Sequence, residues 1–187
     1  LTGNDLVNVL DGGGGGDTLI GGLGNDTYIV RNVADVVTEN VTAGTDVVQV
    51  ADTTAGATYT LADNVENGML TNTVAYNLIG NVLANALTGN AQANLLDGGG
   101  GGDTLTGGAG NDTYIVRTAQ DVVVEASNAG TDQVNVALTD VGGTYTLGTA
   151  IENGVLVNDV VYNLTGNGLD NALTGNGQTN VLTGAAG

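Results

Sequence analysis

Residues Gly12–Ile29 read GGGGGDTLI GGLGNDTYI, two nine-residue blocks in which a glycine-rich run closes on Asp and leads into three β-prone residues. The pair returns as GGGGGDTLT GGAGNDTYI at Gly98–Ile115. Working outward, apolar residues hold the same spacing of nine: Leu1, Leu10, Leu19, Tyr28 and Val37, then Leu78, Leu87, Leu96, Leu105, Tyr114 and Val123, then Leu164, Leu173 and Leu182. Two places before most of them stands a short polar side chain: Asn8, Asp17, Asp26 and Asp35, then Asn85, Asn94, Asp103, Asp112 and Asp121, then Asn171 and Asn180. Neither the helical period of 3.6 nor simple alternation generates nine. A six-residue turn followed by a three-residue strand does, with one apolar side chain per strand facing inward.

Two such half-coils, about 18 residues, close one turn of a winding in which strands stack in parallel at ~4.8 Å. The expected fold is therefore all-β, a parallel β-roll or β-solenoid built from nonapeptide half-coils, with glycine supplying positive φ in the turns. A longer period overlies the short one. LTGN occurs at Leu1, Leu87 and Leu173, and residues 1–86 align with 87–172 without a gap at roughly two thirds identity, while 173–187 opens a third copy. We read 1–187 as one continuous solenoid of roughly five coils per unit, ten or eleven in all, about 50 Å long. The chain starts and stops in mid-pattern, as a piece of something longer would.

Composition narrows the chemistry. The chain of 187 residues holds 20 Asp plus Glu against 2 basic residues, Arg31 and Arg117, for a net charge of −18, and it has no Cys and no His. Disulfides, thiolate nucleophiles, thiolate zinc sites and Ser-His-Asp chemistry are excluded. The absence of Lys removes a phosphate-binding P-loop, and the acidic field repels nucleic acid and anionic lipid. No apolar run approaches the ~18 residues that span a bilayer, so membrane insertion is not expected. A carboxylate pair could serve glycoside hydrolysis, but the acids recur with the 86-residue unit, and we expect no enzyme. Apolar residues make up 41% of the chain, enough for a core. A glycine-rich polyanion with a core needs positive charge from outside.

The turns say which cation. Calcium takes six to eight oxygen ligands, and an Asp-closed glycine turn offers a carboxylate together with several backbone carbonyls. Residues one coil apart stack, so Asp17 over Asp35 and Asp103 over Asp121, 18 apart, could sandwich an ion. Asp26 with Asp46 and Asp112 with Asp132 are 20 apart, a slip the turns must absorb. The expected ligands are these eight Asp together with the turn glycines Gly13, Gly15, Gly22, Gly24, Gly99, Gly101, Gly108 and Gly110. Glu39 and Glu125 are left open between ligand and solvent. The neutral Asn turns can stack as hydrogen-bonded ladders without metal, so calcium is expected near 12–46 and 98–132, and metal-free stretches near 76–97 and 162–183. Arg31 and Arg117 are expected to neutralise nearby acids, and the six Tyr to pack in the core.

The four blocks GGGGGDTLI, GGLGNDTYI, GGGGGDTLT and GGAGNDTYI fit G-G-x-G-x-D-x-U-x, and on them the chain resembles the RTX (repeats-in-toxin, haemolysin-type) calcium-binding repeats of secreted bacterial proteins. The likeness extends through DTYIVRNVADVVTE, GTDVVQV, YTLADNVEN and GNVLANALTGN. It implies export of an unfolded chain through a type I channel and calcium-driven folding outside the cell. Three roles stand open: a structural rod in a secreted or surface-attached bacterial protein (adhesin, surface layer or fibre), an accessory folding domain of a secreted enzyme or toxin, and a carbohydrate-binding module. The partners these imply are calcium ions, further copies end to end or in a filament, and a glycan.

Overall fold

The computed structural model describes residues 1–127 and 129–187. Among them lie nineteen strands of two to four residues and no helix. Val9–Asp11, Thr27–Val30, Val47–Val50, Asn67–Leu70, Ala86–Thr88, Thr104–Thr106 and Val122–Val124 form one parallel sheet. Thr58–Thr60, Asn77–Ile79, Leu95–Asp97, Thr113–Val116, Gln133–Val136, Asn153–Leu156 and Ala172–Thr174 form a second. Thr18–Ile20 with Val36–Thr38, and Thr144–Thr146 with Asn163–Thr165 and Leu182–Thr183, form two smaller sheets. Consecutive strands alternate between the two sides of the winding, so every pairing joins a strand to the next but one. This is the expected β-solenoid.

The apolar ladder is the register of those pairings. On one side Leu10, Tyr28, Val48, Gly68, Leu87, Leu105 and Val123 stack in turn. On the other run Tyr59, Leu78, Leu96, Tyr114, Val134, Gly154 and Leu173. Leu78, Leu96, Leu105, Tyr28 and Tyr114 are wholly buried. Glycine enters the ladder where the opposite sheet comes closest: a Cβ on Gly68 would sit 3.1 Å from methyls of Leu61 and Leu78.

The coil count is lower than the sequence period suggested. Nineteen strands at two per coil make about nine coils, not ten or eleven, and the rod is correspondingly ~45 Å long. The difference arises in residues 38–76, where turns such as 39–46 lengthen and the inward positions Val37, Val48 and Tyr59 are eleven apart rather than nine. One 86-residue unit thus holds nine strands, or four and a half coils. Strand Val9–Asp11 lies in the first sheet, but its equivalent 86 residues on, Leu95–Asp97, lies in the second. In both units the pairing lapses at the same place, after Val36–Thr38 and after Val122–Val124. In the first unit the Asn64 side-chain amide crosses the lapse to the Glu39 carbonyl at 3.0 Å.

Leu96 packs against the coils above and below with no exposed surface, so Leu96→Ala is expected to destabilise the folded chain by about 2–5 kcal/mol. Urea unfolding in saturating calcium measures it, and a loss under about 1 kcal/mol would contradict the ladder as the core.

Candidate metal centre

The eight turn glycines singled out in the sequence all adopt positive φ, from 82° at Gly13 to 114° at Gly110. Handedness is only half of the requirement. A Cβ at Gly22 would stand 2.6 Å from the Asn4 carbonyl oxygen, and one at Gly24 would stand 2.8 Å from the Leu6 carbonyl carbon. The glycine turns at 21–26, 98–103 and 107–112 lie on the backbone of the preceding coil, and no other residue satisfies both conditions there; at Gly13 and Gly15 only the positive φ applies.

Apart from Asp17, the turn-closing acids each bind the preceding coil through one oxygen. Asp26 Oδ1 accepts the Asn8 N–H at 2.8 Å, Asp46 Oδ1 accepts the Asp26 N–H at 2.7 Å, and Glu66 Oε2 accepts the Asp46 N–H at 2.8 Å. In the second unit Asp103, Asp112 and Asp132 accept from Asn85, Asn94 and Asp112 at 2.8 Å each. The other oxygen, Oδ2 of Asp17, Asp26, Asp46, Asp103, Asp112 and Asp132, is buried and bonded to nothing in the protein. A buried polar atom left so costs about 1–3 kcal/mol, and more when charged.

Two places concentrate the deficit. Asp26, Glu39 and Asp46 bring one oxygen each within 4.8 Å of one another, and so do Asp112, Glu125 and Asp132. Asp26 and Asp46 are essentially fully buried. The Tyr28 hydroxyl donates to Glu39 and the Tyr114 hydroxyl to Glu125. Burial, then these carboxylates, push both phenols well above their ordinary range. Glu39 and Glu125, left open by sequence reasoning, therefore face inward with the acids. Their signal was position: each stands where the first glycine of a nonapeptide would, one coil above Gly21 or Gly107.

The pairs 18 apart are arranged differently. Asp35 Oδ1 accepts the Asp17 N–H at 2.9 Å, and its Oδ2 accepts the N–H groups of Arg31 at 3.0 Å and Asn32 at 3.1 Å. Asp121 repeats this with Asp103 at 3.1 Å, Arg117 at 2.8 Å and Thr118 at 3.0 Å. Both oxygens of Asp35 and Asp121 are thus engaged by backbone. The Arg31 guanidinium pairs with Asp11 at 2.7 Å and that of Arg117 with Asp97 at 2.6 Å. Arg31 and the Gly13 N–H hold the Asp11 carboxyl below the usual range.

The Asn turns need no ion. Asn8, Asn85, Asn94, Asn171 and Asn180 each accept, through the side-chain oxygen, the N–H of the residue four places earlier, at 2.7 to 3.0 Å. The side-chain amides of Asn85, Asn94, Asn171 and Asn180 donate to carbonyls of the preceding coil, as Asn94 does to Tyr76 at 3.0 Å.

The donor set at the acid turns is oxygen alone, carboxylate and peptide carbonyl, which suits a hard divalent cation and calcium above the softer metals. The six unpartnered, buried oxygens are the observation that such an ion fits. The sequence model of one family, the RTX calcium-binding nonapeptide repeat (4 copies), matches residues 2–37 and 79–114. Residues 2–37 and 79–114 are RTX calcium-binding repeats. No curated protein and no solved structure matches the chain. Among the described residues no helix is long and apolar enough to cross a membrane.

Without metal, burial first and neighbouring carboxylates second raise Asp46 and Asp103 to about 6 and Asp112 to about 7, from the ordinary 3.8. The folded form then holds protons more tightly than the unfolded chain. The stability these groups contribute is complete below pH 3.8 and is lost as pH rises through 6 to 7. The metal-stripped chain, expanded at about pH 7.5, is expected to gain strand structure as pH is lowered toward about 5, read by circular dichroism in EGTA. A strand signal that is flat or falls over that interval would contradict carboxylates buried without partners.

Proposed function

We propose that the chain is a calcium-stabilised rod within a large secreted or cell-surface bacterial protein, such as an adhesin, a surface layer or a fibre. The observation that carries this reading is the row of buried, unpartnered Asp oxygens in a chain of charge −18. In a metal-free chain these acids oppose coil closure, both by desolvation and by mutual repulsion. Bound calcium supplies the positive charge and the oxygen-ligand bonds that the turns lack. Asp17, Asp26, Asp46, Asp103, Asp112 and Asp132, with Glu39, Glu125 and the glycine-turn carbonyls, are the groups that would hold it.

Folding and binding are then one event. Extracellular calcium modules bind at about 10⁻⁴–10⁻³ M, far above cytosolic levels, so the chain remains expanded inside the cell and closes after export. The 86-residue units align without insertions and each turns the winding by a half-integral number of coils, which suits a spacer that tiles. RTX repeats as a class accompany secreted bacterial proteins, which supports the same location for this one.

Circular dichroism during a calcium titration at about pH 7.5 tests the reading. The strand signal is expected to rise with a midpoint near 10⁻⁴–10⁻³ M, to reverse on adding EGTA, and to respond weakly to magnesium, which prefers six ligands with retained water. A strand spectrum already complete in EGTA, and unchanged by calcium, would overturn the coupling of folding to the ion.

A further inference from the structure

Eleven turns of the chain share one form, six residues closed by Asn or Asp just before a strand. They divide into two kinds, and the closing residue does not make the division. In the five Asn turns the N–H of the second residue, always Asn, caps the closing side chain. In the turns closed by Asp35 and Asp121 the second residue is Arg31 or Arg117, and its N–H does the same to an Asp oxygen. In the remaining four the second residue is glycine at φ 82° to 108°, and in all four the closing Asp keeps an oxygen buried and unbonded. The N–H groups of Gly13 and Gly99 turn away to Asp11 and Asp97 instead.

We infer that the second residue of each turn, not the acid that closes it, decides whether the turn takes calcium. At Gly22, Gly99 and Gly108 a Cβ would strike a carbonyl oxygen of the preceding coil, and at Gly13 the positive φ alone is strained for a residue with a Cβ. Such a residue therefore takes the other conformation, and its N–H points into the turn, where it occupies the place the ion would serve. A carboxylate whose two oxygens already accept three backbone N–H bonds, as those of Asp35 do, is satisfied without metal. Of the eleven, calcium therefore belongs to turns 12–17, 21–26, 98–103 and 107–112, with Glu39 and Asp46 or Glu125 and Asp132 of the longer turns beside Asp26 and Asp112, and it is not bound by Asp35 or Asp121. The inference rests on the calcium reading above and adds to it which acids are excluded.

Calcium counted by mass spectrometry on dialysed protein, with amide hydrogen exchange, tests this. D35N/D121N is expected to keep the wild-type calcium count, whereas D26N/D112N is expected to lower it. A turn exchange, G22N/G24Q/D26N, gives residues 21–26 the pattern of 89–94. It is expected to lower the count while leaving Thr27–Val30 amides protected in EGTA, where the wild type loses that protection. If D35N/D121N loses as much calcium as D26N/D112N, or if the exchanged turn still needs calcium for protection, the inference is wrong while the calcium reading stands. A wild-type chain that binds no calcium at all would overturn both.

Discussion

A carboxylate that closes a turn by accepting one backbone N–H from the preceding coil has a second oxygen, and the winding carries that oxygen inward. Everything distinctive about the chain follows from what meets it. Asn solves the problem with an amide and a self-capped turn. Asp35 and Asp121 solve it with backbone donors. The glycine turns do not solve it within the protein. Their positive-φ glycines, packed on the preceding coil in three of the four, leave no inward N–H for the acid, and with Asp46 and Asp132 of the longer turns the deficit recurs at six described residues. The hydrophobic ladder alone can hold the coils together, but against a charge of −18 it does so only where the acids are neutralised.

Much of this was legible in the sequence because the physics is periodic. A spacing of nine between Leu, Val and Tyr dictates a turn and a strand, and the structure stacks Leu10 on Tyr28 and Leu78 on Leu96 as that spacing requires. The coil count was less legible. Residues 38–76 hold their inward residues at uneven spacing, and only the pairing of Val48 with Tyr28 and Gly68 shows how the longer turns are absorbed. The acids were legible as a set but not in their roles. Asp17 and Asp35 share a type with the stacked Asp26 and Asp46, and a backbone N–H bridges both pairs, yet the second oxygen of Asp35 is already taken by the N–H groups of Arg31 and Asn32. Glu39 signalled its role by position alone, because its meaning depends on a substitution for glycine in a turn two residues longer than the nonapeptide turns.

The half-integral unit has a consequence for charge. Asp26 closes a turn leading into the first sheet, whereas its equivalent Asp112 leads into the second. The acidic clusters Asp26–Glu39–Asp46 and Asp112–Glu125–Asp132 therefore lie on opposite edges of the winding, about four and a half coils apart along it. Had the unit contained a whole number of coils, every cluster would stack on one edge, and successive units would add their fields along a single line. Alternation separates like clusters by a half-turn as well as by height, which reduces their repulsion at low ionic strength, where screening is weak. The same half-turn places the two pairing lapses on opposite sides, so the strand ladder missing at one level on one side is continuous on the other, from Thr27–Val30 through Asn67–Leu70. Nine strands per unit thus distribute both weaknesses of the fold, its concentrated charge and its interrupted ladder, so that neither accumulates along one edge.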